Sequence, residues 1–114
     1  RGGKPSRCIP HFFLDYGHKQ CPYSPMFEWD EDKRLHNVAK HGIDFLTACA
    51  VFDGREVYTF ATPRGDEERF ATVGLIEGRF VTVVWTPRRH KTRLISARRS
   101  RDEEKKAYRQ LFGE

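Results

Sequence analysis

The chain has 114 residues, 38% hydrophobic and 32% charged, with nine Phe, four Tyr and two Trp. That length suits one domain, and that aromatic content is too high for a disordered segment. The formal charge is +5, the three cysteines are too few and too odd in number for a disulfide framework, and no apolar run approaches the ~18 residues that cross a bilayer. A cytoplasmic protein without a membrane partner is therefore expected.

Residues 1–25 carry four prolines and no sustained periodicity. They read as an N-terminal extension, either upstream sequence or a cloning remnant, with a composition that predicts poor order. Met26 is the expected start of a domain covering 26–114. Within the extension, Cys8-x-x-His11 and His18-x-x-Cys21 have the two-residue gap that zinc ligands favour, which makes Cys8, His11, His18 and Cys21 a weak metal candidate. The rival reading is a hydrophobic patch around Phe12, Phe13 and Leu14.

From Met26 the signals become orderly. Phe27-Glu28-Trp29 predicts a short extended segment. Asp30 is a good N-cap for a helix running to about Lys40, with Leu35, Val38 and Ala39 as its apolar side. Gly42 ends it, and His41 sits at the negative end of its dipole. Asp44 caps a second helix, Phe45 to Phe52, which Gly54 stops. Cys49 falls in an apolar run and reads as a small core residue.

The period then changes to that of strands. Glu56 to Ala61 and Arg69 to Ile76 are predicted strands, and Glu77-Gly78 is a two-residue hairpin signal. Arg79 to Thr86 is the most strand-like run, and Pro87 is expected to close it. A basic loop, Arg88 to Lys91, leads to a last strand over Thr92 to Arg98. Ser100-Arg101-Asp102-Glu103 reads as a capping box for a final helix with Ala107, Tyr108, Leu111 and Phe112 on one face. The fold class is α+β: an antiparallel meander with two N-terminal helices and a C-terminal helix packed on one sheet face.

Charge is unevenly placed. From Thr86 to Arg101 there are seven Arg or Lys residues and no acid. A solvated basic edge that discourages strand aggregation is the bland explanation. A polyanion, above all nucleic acid, is the sharper one.

Four separated blocks then carry a resemblance: Phe27-Glu28-Trp29-Asp30, Lys40-His41-Gly42, Glu68-Arg69, and Arg93-Leu94-Ile95-Ser96-Ala97-Arg98. In this order they resemble the BrnT family, ribonuclease toxins of type II toxin–antitoxin pairs with a RelE-like fold. The likeness spans Met26 to about Leu111. It implies an endoribonuclease without a cofactor, neutralised by a cognate ribbon-helix-helix antitoxin of the BrnA kind, with operator DNA engaged only through that antitoxin.

Cleavage of RNA needs a base for the 2′-OH proton, cations for the crowded phosphate and an acid for the leaving 5′-oxygen. Strand parity places Arg93, Ile95 and Ala97 on one side and Leu94, Ser96 and Arg98 on the other, with Ser96 and Arg98 lining the open face. Arg69, Arg93 and Arg98 are the expected phosphate grips, since a guanidinium binds phosphate in a bidentate way. For proton transfer the candidates are His41, Glu68 and Tyr108. His41 is equally readable as a helix-end histidine, Glu68 as a solvated turn acid and Tyr108 as core. Lys33, Lys40, Arg88, Arg89, Lys91 and Ser96 are expected to add contacts to RNA. A non-catalytic basic domain that binds nucleic acid or a partner protein is the alternative.

Overall fold

The computed structural model describes residues 26–113. The expectations for residues 1–25, including the Cys8, His11, His18 and Cys21 set, lie outside the described residues. Among those described, no helix is long and apolar enough to cross a membrane.

The elements follow local chemistry closely. Strand β1 is Phe27–Glu28. Helix α1, Glu31–His41, starts where the Asp30 carboxylate accepts the Asp32 N–H at 2.9 Å. It stops at Gly42, which takes the left-handed φ of 72° that glycine tolerates. Asp44 likewise caps helix α2, Phe45–Ala48, which tightens into a 3₁₀ turn over Cys49–Phe52. Strands β2, β3, β4 and β5 are Tyr58–Ala61, Phe70–Ile76, Arg79–Arg88 and Lys91–Arg99. Helix α3 is Asp102–Phe112.

Among the described residues the strands form a five-stranded sheet in the order β1-β5-β4-β3-β2. The last four pair antiparallel, as a meander should. The expected pure meander needs one correction. The first strand joins the far edge in parallel, with Phe27 beside Thr92 and Glu28 beside Arg93. The sheet is therefore mixed. Pro87 does not close β4 either. It sits opposite Thr92 inside the ladder, and the connection is a two-residue turn at Arg89-His90.

The helices occupy both faces, not one. On one side Phe27, Phe45, Ala48, Cys49, Val51 and Phe52 meet Ile76, Val81, Val83, Leu94 and Ala97 to form the buried core. Cys49 is one of its small fillers, as expected. Gly74 lets the 3₁₀ turn approach, since a Cβ there would lie 3.1 Å from Val57 and 3.3 Å from Val51. On the opposite face α3 packs the Tyr108 ring edge-on against Phe80, with centroids 5.2 Å apart.

Helix α1 reverses its expected orientation. Leu35 is 54% exposed, Val38 is 39% exposed, and Ala39 is exposed too. The buried residue is Asn37. Its amide nitrogen donates to the Ile43 and Ala97 carbonyls, both at 2.8 Å, and its oxygen accepts the Ala97 N–H at 3.1 Å. Asn37 thus serves β5 as a substitute strand where β1 has ended. Satisfying a buried sheet edge outweighs placing Leu35 and Val38 inward.

The final cap is shifted by one residue from the expected box. Arg101 is the N-cap, and its N–H is accepted by Glu104 at 2.8 Å. Ser100 instead turns its hydroxyl to that of Thr82, 2.7 Å away.

Candidate active site

Strand parity along β5 is broken. Val84 pairs with Ser96 and Trp85 with Leu94, so Ile95 is an extra residue in a bulge. Both Leu94 and Ala97 consequently reach the core. Simple alternation had separated Arg93 from Arg98, and the bulge corrects this. Arg93, Ser96 and Arg98 stand opposite Thr86, Val84 and Thr82, which alternate along β4. All three therefore share the face on which α3 packs.

That face has two ends. At the α3 end, both terminal nitrogens of Arg98 meet Glu104, each at 2.9 Å. Thr82 donates to the same carboxylate at 2.9 Å. Glu104 is only 6% exposed. Burial raises its pKa, but the Arg98 hydrogen bond, the Arg101 N–H and Thr82 outweigh that and lower it to about 2. Tyr108 lies here too, 4% exposed, with its hydroxyl 3.3 Å from the Glu56 carbonyl it donates to.

The other end is open. Arg69 Nε donates to Glu67 Oε1 at 2.6 Å. Glu67 Oε2 lies 3.9 Å from Arg88, and Arg88 lies 3.9 Å from Glu28 Oε2. That oxygen also accepts Arg93 Nη1 at 3.1 Å. The result is a row of alternating charge: Arg69, Glu67, Arg88, Glu28, Arg93. The Arg69 hydrogen bond lowers the Glu67 pKa, with smaller contributions from Arg88 and from Lys33 on α1. The arginine side chains in the row keep 21% to 49% of their surface in solvent. A multidentate anion can reach them, because pairs this exposed hold one another only weakly.

Of the residues singled out in the sequence, Arg69, Arg88 and Arg93 come together, Ser96 shares their face, and the field of Lys33 reaches Glu67. Arg89 and Lys91 are exposed at the turn and strand end beyond Arg88. His41 and Lys40 end α1, about 12 Å of helix beyond Lys33 at 1.5 Å per residue. The exposed Glu68 enters through its backbone, whose carbonyl accepts the Thr86 hydroxyl. The side chain that meets Arg69 belongs to its neighbour Glu67. Sequence reasoning missed Glu67 and Glu28. The only local signal was an acid beside Arg69, and nothing local joined Glu28 to a strand 65 residues away.

Among curated proteins none matches this chain. The family model described as "Ribonuclease toxin, BrnT, of type II toxin-antitoxin system" matches residues 29–104, well over half the chain and all of the sheet but β1. The chain belongs to the BrnT family of ribonuclease toxins of type II toxin–antitoxin systems.

Proposed function

We propose that this protein is an endoribonuclease that cuts RNA through the substrate's own 2′-OH, without a metal, and that Arg69, Arg88 and Arg93 hold the scissile region. The observation that carries this is the row of three partly exposed guanidinium groups on one sheet face, clear of α3. RNA supplies its nucleophile, so the protein has to position the phosphate and stabilise charge as the 2′-oxygen attacks. Guanidinium forks do both. An RNA strand offers several phosphates at once, which allows it to displace the weak internal pairs where a single phosphate does not. We assign Arg98 and Tyr108 to the scaffold, given their contacts with Glu104 and Phe80. His41 and Lys40 are assigned to the distant end of α1.

A type II toxin has an antitoxin. We further propose that it is a ribbon-helix-helix protein of the BrnA kind, that it alone contacts operator DNA, and that the pair acts in the cytoplasm, where its RNA is. The exposed apolar side of α1 supports a partner-covered surface.

The test is cleavage of single-stranded RNA by the purified protein in excess chelator. Fragments with 2′,3′-cyclic phosphate and 5′-OH ends are expected, and Arg93→Ala should lose activity while remaining folded. RNA that is bound but stays intact on prolonged incubation would identify a non-catalytic binding module instead. RNA affinity without salt dependence would contradict both.

A further inference from the structure

Three guanidinium groups can hold and stabilise a phosphate, but at neutral pH none can accept a proton. The 2′-OH proton needs an acceptor within hydrogen-bond reach of a phosphate on the row. The sequence offered His41, Glu68 and Tyr108, and none of their side chains joins the row. Two carboxylates do. Glu67 has both oxygens directed at arginines, Oε1 to Arg69 at 2.6 Å and Oε2 toward Arg88 at 3.9 Å. Glu28 differs. Its contacts with Arg93 at 3.1 Å and Arg88 at 3.9 Å both fall on Oε2. Among the described residues Oε1 of Glu28 accepts no hydrogen bond.

We propose that Glu28 is the proton acceptor of the cleavage reaction, with Oε1 receiving the 2′-OH proton while Arg88 and Arg93, both on its Oε2 side, bind the phosphate. This rests on the ribonuclease reading above and adds a catalytic residue to it. In the step, the proton passes from the 2′-oxygen to Glu28 as that oxygen bonds to phosphorus. The bond from phosphorus to the 5′-oxygen breaks. The 5′-oxygen takes a proton from solvent, which leaves a 2′,3′-cyclic phosphate and a 5′-OH. Proton transfer back to water restores the carboxylate.

The fold explains why this acid and not its neighbours. Parallel pairing sets Glu28 beside Arg93, and Phe27 anchors the strand by burying its ring against Phe52 at 5.3 Å. Asp30 is spent capping α1, and Glu31 is paired with Arg34. The charged groups around Glu28 are Arg93 on β5 and Arg88 on β4, followed by Glu67 and Arg69, with Lys33 of α1 acting on Glu67. The second reason to prefer Glu28 is that the Arg69 hydrogen bond makes Glu67 a weaker base.

The experiment compares wild type, Glu28→Gln and Glu28→Ala on single-stranded RNA in chelator. Affinity is measured separately on the same RNA with its 2′-hydroxyls methylated. Glutamine keeps an oxygen for Arg93 but is no base. Loss of the general base should lower kcat at least ~100-fold without weakening affinity. Added formate should restore part of the Glu28→Ala activity. A Glu28→Gln protein that cuts within about threefold of wild type overturns the proposal. Weakened affinity at unchanged kcat also overturns it, because Glu28 would then only position the arginines. Wild-type protein that cuts no RNA at all sinks the ribonuclease reading itself, a different result from either of these.

Discussion

Arg93 and Arg98 lie on one strand, on one face, each with a glutamate. Arg98 is bound through both terminal nitrogens to a glutamate that is itself buried and also bonded to Thr82 and to the Arg101 N–H. Arg93 makes one hydrogen bond to a glutamate whose side chain is 32% exposed. The first arrangement is a rivet joining β4, β5 and α3. The second leaves donor capacity and solvent access for a ligand. Residue type is the same in both, so the partner's burial decides whether an arginine belongs to the fold or to the site.

The largest expected effect breaks the rivet. Glu104→Ala leaves the partly buried Arg98 and the buried Thr82 without their acceptor and should cost about 3 kcal/mol, the upper value for hydrogen bonds to a charged group. Denaturant unfolding at neutral pH measures it. The same side chain gives a pH prediction. Its folded pKa, about 2, lies below the ordinary carboxylate value of 4.5, so its contribution to stability is complete above the ordinary value. That contribution should be lost as pH falls from about 4.5 toward 2. Thermal melts across that window should show the decline in wild type and a flatter curve in Glu104→Gln.

The open end should respond in the opposite sense. Arg93→Ala is expected to leave the melting curve nearly unchanged, since pairs this exposed contribute about 0–1 kcal/mol. RNA cleavage should fall about 10- to 100-fold, the worth of a charge-assisted contact of ~1.5–3 kcal/mol. Loss of one phosphate contact should also reduce the slope of log affinity against log salt by about 0.7 for a single strand. A drop in stability comparable with that of Glu104→Ala would erase the distinction between the two ends.

The contrast also marks what the sequence made legible. Asp30, Gly42, Asp44 and Glu77-Gly78 act on their immediate neighbours, and each is found at the helix cap or turn it announced. Three features depended on distant partners. Glu28 reaches β5 only through a parallel pairing that no local pattern encodes. The bulged Ile95 brought Arg93 onto the face of Arg98, because a single extra residue shifts a two-residue period. Whether Glu67 or Glu68 would face Arg69 turned on loop geometry, fixed by the Thr86 hydroxyl on the Glu68 carbonyl.

Helix α1 is the clearest such case and supplies the smallest expected effect. Its 3.6-residue pattern pointed Leu35 and Val38 inward, yet the requirement of Ala97 for a partner turned Asn37 there instead. The exposed pair should therefore contribute little to stability. Leu35→Gln is expected to change unfolding free energy by no more than ~0.5 kcal/mol, as surface substitutions do. Asn37→Ala should cost about 1–3 kcal/mol, since the Ala97 groups lose their partner. Equilibrium unfolding of the two variants side by side checks the ranking. Were Leu35→Gln the more damaging, the helix would be using its apolar side to fold the isolated chain. With Asn37 the more damaging, the exposed side of the helix contributes little to folding the isolated chain.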